Sequence, residues 1–131
     1  MRKIVVSCLS LALLISINFA TAQSIDAGRG ELPLTVPVDY DASTPASLIV
    51  WLHGYGANAG AGQDAYMKFS LLANDYGFLF IAPNGQKETQ GNKAWFWNAS
   101  DACCNFRGSQ VSDVDYLMAV INNIKSQYNV D

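Results

Sequence analysis

A chain of 131 residues with a formal net charge of −3 has room for one small domain, or for part of a larger one. Its acidic balance argues against nucleic acid and anionic membranes as partners. One histidine and three cysteines, two of them adjacent, supply no recognisable metal-ligand spacing, so no metal site is expected.

The chain starts with a short basic segment, Met1-Arg2-Lys3, followed by an apolar run from Ile4 to Phe19 and an A-x-A site at Ala20-Thr21-Ala22. This pattern reads as a secretory signal peptide over residues 1–22, cleaved near Ala22. The run is shorter than the roughly 20 residues that span a bilayer. Cys8 sits inside it, too near the start for a lipoprotein anchor. The expected product is secreted or periplasmic, is no longer membrane-attached after cleavage, and covers residues 23–131. Loss of Arg2 and Lys3 lowers the eight basic residues to six against eleven acidic ones.

Leu32, Thr35, Val36 and Val38 suggest an early strand, and Pro33 and Pro37 favour an edge position for it. Residues 40–46, YDASTPA, form a turn or loop by composition. Leu48 to Leu52 is a run of five apolar residues without alternation, the pattern of a strand buried on both faces. The run stops at His53, and Gly54, Gly56, Gly60 and Gly62 follow. Asp64 to Asp75 is compatible with a helix, with Tyr66, Phe69, Leu72 and Ala73 on one rough face and Gly77 as its stop. A second apolar run, Phe78 to Ala82, ends at the turn signal Pro83-Asn84-Gly85.

Gln86 to Val111 reads as one long loop with an aromatic centre, and loops of that length are usually functional or covered. The last element is the clearest helix. Ser112 is its expected N-cap, with Asp115 at the third helical position. Tyr116, Leu117, Val120, Ile121 and Ile124 form its apolar stripe, and Asn129 can end it. Buried strands alternating with helices argue an α/β fold with a mostly parallel sheet.

Ligands of open parallel sheets bind beyond the carboxyl ends of the strands, which is where His53-Gly54-Tyr55-Gly56 would lie. Glycine lets the backbone approach a ligand closely, so the amides can face developing negative charge as in an oxyanion hole. A histidine at the start can brace the turn with its ring nitrogens. A tight strand-to-helix connection without chemistry has the same appearance. Phosphate binding is the third reading. It lacks the Lys-Ser/Thr of a Walker loop, and the dinucleotide spacing fails because Ala59 holds the last glycine's place.

Four segments, IVWLHGYGANA, GFLFIAPNG, WNASDACCNF and VSDVDYL followed by YNVD, occur in that order. Together they resemble the secreted polyhydroxybutyrate depolymerase-like and feruloyl esterase-like members of the α/β-hydrolase superfamily, over about Leu48 to Asp131. The resemblance implies the N-terminal half of an α/β-hydrolase fold: a mostly parallel sheet with flanking helices, cut before the nucleophile elbow. It implies a serine esterase that works through an acyl-enzyme, without a cofactor, on a polyester, a polysaccharide-linked acyl or feruloyl ester, or a small ester. His53, Gly54, Tyr55 and Gly56 would form its oxyanion loop, with one amide from the Tyr55 region and the other following the nucleophile.

None of the triad is present. The chain has no G-x-S-x-G, and His53 precedes the position of the triad base in that chain order. The expectation is therefore the N-terminal part of a longer hydrolase, inactive alone. The alternative is a catalytically inactive remnant, or a binding module that uses the aromatic loop.

Trp95 and Trp97 are candidates for lining a substrate pocket, although such rings more often pack a loop or a core. Cys103 and Cys104 are candidates for a disulfide, with each other or with partners elsewhere. Asn98-Ala99-Ser100 matches a glycosylation sequon. Asp101, Asp113 and Asp115 lack the spacing of a calcium loop, which leaves them as caps or solvated positions.

Overall fold

The computed structural model describes residues 23–59, 66–100 and 102–131. The expected signal peptide lies outside these residues, as do Asp101 and the start of the helix expected from Asp64. Among the described residues no helix is long and apolar enough to cross a membrane.

The elements run β1 (Gln23–Asp26), β2 (Glu31–Thr35), β3 (Leu48–Val50), α1 (Phe69–Tyr76), β4 (Leu79–Ile81), β5 (Gln86–Lys87), β6 (Trp95–Phe96) and α2 (Asp113–Gln127). The main sheet has the order β1-β2-β4-β3, and β5 and β6 form a separate ladder. Only β3 and β4 are parallel, with Leu48 opposite Leu79 and Val50 opposite Ile81. β1 with β2, β2 with β4, and β5 with β6 are all antiparallel.

This overturns the expected N-terminal half of an α/β-hydrolase fold with a mostly parallel sheet. The sheet is mixed, and two helices are described. The physical reason lies in the connections. A tight turn joins β1 to β2, with the Asp26 carboxylate accepting from Gly28 N at 2.7 Å and Gly30 N at 3.2 Å. A turn that short permits only antiparallel neighbours. The parallel pair arises where a longer crossover carrying α1 intervenes.

The apolar runs differ in what they meet. β4 is internal and fully buried, as its composition suggests. β3 is an edge strand and only half-buried, so the expectation of burial on both faces fails for it. Its ladder continues through Trp51 N, which donates to Ile81 O at 2.9 Å. Beyond β3 an isolated parallel bridge joins Ala46 to Val130. β2 is not an edge strand, contrary to the proline argument. Its pairing with β4 begins only at Leu34, so Pro33, which lacks an N–H, stands before that ladder starts.

α2 covers one face of the sheet. Ser112 caps it as expected, its hydroxyl accepting from Asp115 N at 3.2 Å. Tyr116, Val120 and Ile124 are buried against Ile25, Leu32, Leu34, Leu79 and Ile81. α1 covers the other face thinly. Ala73 is buried with Phe78 and Phe80, but Leu71, Leu72 and Tyr76 remain exposed. Of the face read from the sequence, Tyr66 is among the most exposed residues.

Asp113, read from the sequence as a cap or a solvated position, is neither, since Ser112 caps the helix and Asp113 is buried. It lies in the first turn of α2, buried, with Arg29 Nη1 2.6 Å from its Oδ1 and Asn98 N donating to its Oδ2 at 2.5 Å. The helix N-terminus also favours a negative charge there. The Arg29 guanidinium lies 3.9 Å from the centre of the Tyr116 ring. The Tyr116 hydroxyl is buried and meets no hydrogen-bond partner among the described residues. Burial raises this phenol's pKa, against Arg29, which lowers it; the Asp26 and Asp113 charges add to the rise.

Two substitutions separate these effects in urea denaturation. Arg29→Met leaves a buried carboxylate without its cation and is expected to cost about 3–5 kcal/mol. Tyr116→Phe keeps the ring and removes an unpaired buried hydroxyl, so stability should be unchanged or higher by about 1 kcal/mol. Because the folded pKa is raised, the phenol's share of stability is lost as pH climbs past the ordinary value of 10.0. Tyr116→Phe should flatten that alkaline limb.

Candidate functional site

The turn His53-Gly54-Tyr55-Gly56 follows β3 at its carboxyl end, beside the β5–β6 hairpin. His53 is 2% exposed. Gly85 N donates to its Nε2 at 3.0 Å, so Nε2 carries no proton. Nδ1 then holds the proton and donates to Gly54 O at 2.8 Å. Both ring nitrogens are therefore committed. The ring braces the turn, as its position in the sequence suggests, and neither nitrogen is left to take up a substrate proton.

The hairpin holds the turn at three further points. Trp97 Nε1 donates to His53 O at 3.0 Å, and the two rings lie 5.2 Å apart. Gly56 N donates to Trp95 O at 2.8 Å. The Tyr55 hydroxyl donates to Glu88 Oε1 at 3.0 Å. Gly56 has a φ of 79°, a left-handed conformation that a side chain would strain. Past the turn, Ala57 N donates to Gly54 O at 3.1 Å and Ala59 N to Asn84 Oδ1 at 2.8 Å.

The amides of Gly56, Ala57 and Ala59 are thus all spent internally. Among the described residues no acceptor meets the backbone N–H of Gly54 or Tyr55. Both residues are exposed, Tyr55 at 45%. Two unpaired amides on a rigid, solvent-facing turn are suited to holding an anion or a carbonyl oxygen that gains charge.

Glu88, just after β5, is a buried carboxylate, and its own N donates to Ala94 O at 2.9 Å. Its hydrogen bond raises the Tyr55 phenol above the ordinary tyrosine pKa. Desolvation and the Glu88 charge add to the rise, and Arg107 opposes it. Phe106 meets the Tyr55 ring edge-on, with centroids 5.2 Å apart.

The long loop read between Gln86 and Val111 contains the β5–β6 hairpin and is tied down. Trp97 serves as a brace for His53 rather than standing free. Trp95 lies on β6 with Lys87 Nζ 5.3 Å from the centre of its ring. Cys103 and Cys104 are joined to each other, beside Ser100. Asn105 donates to Asn98 Oδ1 at 3.0 Å and to Ser109 O at 2.7 Å, and accepts from Ser109 N at 2.7 Å. Asn98 Nδ2 in turn donates to Val111 O at 2.8 Å, so the sequon nitrogen is engaged inside the loop.

Three participants were not legible as such. Asn84 and Gly85 read only as part of a turn signal, and Glu88 lies in a polar stretch with no motif. For Gly85 the reason for glycine is space: a Cβ there would overlap Phe96 O.

Gly85→Ala is expected to cost about 3 kcal/mol or more, since the overlapping atom is backbone and cannot swing away. Trp97→Phe keeps most of the packing and loses one hydrogen bond, for a cost of about 1 kcal/mol. Denaturation midpoints of the two variants would rank them, and equal effects would contradict this account of the brace. No protein-family model matches the chain, and its comparison with curated proteins finds no match either.

Proposed function

We propose that this chain supplies the oxyanion-binding turn of a secreted serine esterase acting on carboxylic esters. The observation that carries the reading is that, among the described residues, no acceptor meets the amides of the exposed residues Gly54 and Tyr55, while those of Gly56, Ala57 and Ala59 are bonded internally. The resemblance of the HGYG turn and its flanking segments to polyhydroxybutyrate depolymerase-like and feruloyl esterases supports the same reading. The mixed sheet is not the arrangement that resemblance implies, so the reading rests on the turn and not on the fold.

In this chemistry a serine hydroxyl attacks the ester carbonyl, and the carbonyl oxygen gains negative charge. Amides already aimed at that position stabilise the charge without reorganising. The chain's own part is to hold the Tyr55 N–H at that oxygen, with His53, Gly54 and Gly56 shaping the turn. Residues 1–131 contain no G-x-S-x-G. By themselves they are expected to turn over no ester. Substrates in keeping with the reading are a polyester, an acylated or feruloylated polysaccharide, or a small ester, met outside the cell or in the periplasm.

The test uses the protein as its native source secretes it. It is treated with a fluorophosphonate probe and assayed with p-nitrophenyl butyrate. Covalent labelling of a serine together with ester turnover supports the reading. Replacing the Tyr55 amide by an ester bond should then lower kcat by about 10²–10³-fold. A secreted protein that neither labels nor turns over ester overturns the reading and favours the inactive remnant or binding module.

A further inference from the structure

Glu88 stands apart from the other charged residues of the chain. It is 6% exposed, yet the ion pair described among these residues joins Arg29 to Asp113 and leaves Glu88 out. A buried carboxylate is costly unless it accepts hydrogen bonds. The side-chain partner found for it is the Tyr55 hydroxyl, 33 residues away in the chain. A cavity of about 170 Å³ lies on the hairpin side, lined by Lys87, Glu88, Phe96, Arg107 and Ser109 among others. The positive groups facing this region are therefore Lys87 and Arg107, both exposed.

We propose that Glu88 is a positioning residue for the turn, its carboxylate fixing the Tyr55 ring against the β5–β6 hairpin so that the Tyr55 N–H stays free of internal acceptors. This deepens the esterase reading and rests on it for the catalytic meaning of the amide.

Three features of the site support the assignment. First, the bond is mutual: the ring is exposed enough to leave, but leaving would strand a buried charge. Second, the neighbouring residue is held by the same hairpin, since Gly56 N donates to Trp95 O. Residues 55 and 56 are thus gripped one through a side chain and one through the backbone. Third, Phe106 packs against the Tyr55 ring in a T-shaped arrangement. A ring held at its hydroxyl and packed against a second ring leaves the backbone of the turn little rotation.

The experiment measures amide hydrogen exchange by NMR on the full ¹⁵N-labelled chain. Gly56 N–H reports on the turn. Leu79 N–H, which donates to Ser47 O at 2.9 Å in the core, reports on unfolding. Tyr55→Phe removes only the hydroxyl from a half-exposed ring and should speed Leu79 exchange by no more than it speeds Gly56 exchange. It should speed Gly56 exchange roughly tenfold, the opening expected from losing a hydrogen bond to a charged group. Glu88→Ala should do the same, and Glu88→Gln, which keeps an acceptor, should restore most of the protection. In the double variant Tyr55→Phe/Glu88→Ala, Gly56 should exchange no faster than in either single variant, because both remove one interaction. Unchanged Gly56 exchange in Tyr55→Phe would overturn the proposal, as would additive effects in the double variant.

In the secreted native protein, Tyr55→Phe should lower kcat with KM unchanged, the pattern of an interaction used in the transition state. A native protein without esterase activity whose Gly56 still responds would remove the catalytic reading and leave the Glu88 restraint standing.

Discussion

The imidazole of His53 is the point on which the site depends. It lies buried between two backbone groups, accepting from Gly85 N–H on one nitrogen and donating to Gly54 C=O with the other. Gly85 follows the end of β4, and Gly54 follows the end of β3. The ring therefore joins the exits of the two parallel strands, at the place where their ladder has run out. Without it the buried Gly85 amide would lose its acceptor away from water, where an unpaired polar group is costly, while the Gly54 carbonyl would turn to solvent.

Around this bridge the β5–β6 hairpin acts as a clamp. Trp97 holds the His53 carbonyl, Trp95 holds the Gly56 amide, and Glu88 holds the Tyr55 phenol. The loop that follows is fastened in turn through Asn98 to Asp113 at the start of α2. Asp113 is paired with Arg29 on the β1–β2 turn. A continuous polar path thus runs from the first hairpin, through the helix start, to the exposed amides. In the proposed esterase reading this path matters because rigid backbone donors act without reorganisation when charge develops.

The two faces of the sheet are unequally covered. α2 buries a row of aliphatic side chains on one face, while α1 leaves Leu71, Leu72 and Tyr76 exposed on the other. Among the described residues no strand pairs with the outer edge of β3 along Leu48–Val50. Open edges are sites where sheets extend or associate. The turn at the end of β3 is nonetheless held by contacts that do not involve that edge.

The sequence by itself determined the local features. The Ser112 cap and the apolar stripe of α2 follow from helical spacing. The buried core of β4 follows from an unbroken apolar run, and the brace role of His53 from its place before the glycines. What the tertiary structure decided was partnership. A run such as Leu48–Leu52 records its affinity for an apolar environment but not the direction or number of its neighbours. β3 thus became an edge strand, and the sheet became mixed. Pro33 favoured an edge position, yet β2 is internal: Pro33 lies opposite Ser24 of β1, and the pairing with β4 begins only at Leu34. In sequence Glu88 lies in a polar stretch with no motif, and Asp113 reads as a cap or a solvated position. They are buried because Tyr55, Arg29 and Asn98 arrive from distant segments with hydrogen bonds to offer. Spacing along the chain encodes the faces of elements, whereas the pairing of polar groups exists only once the chain has folded.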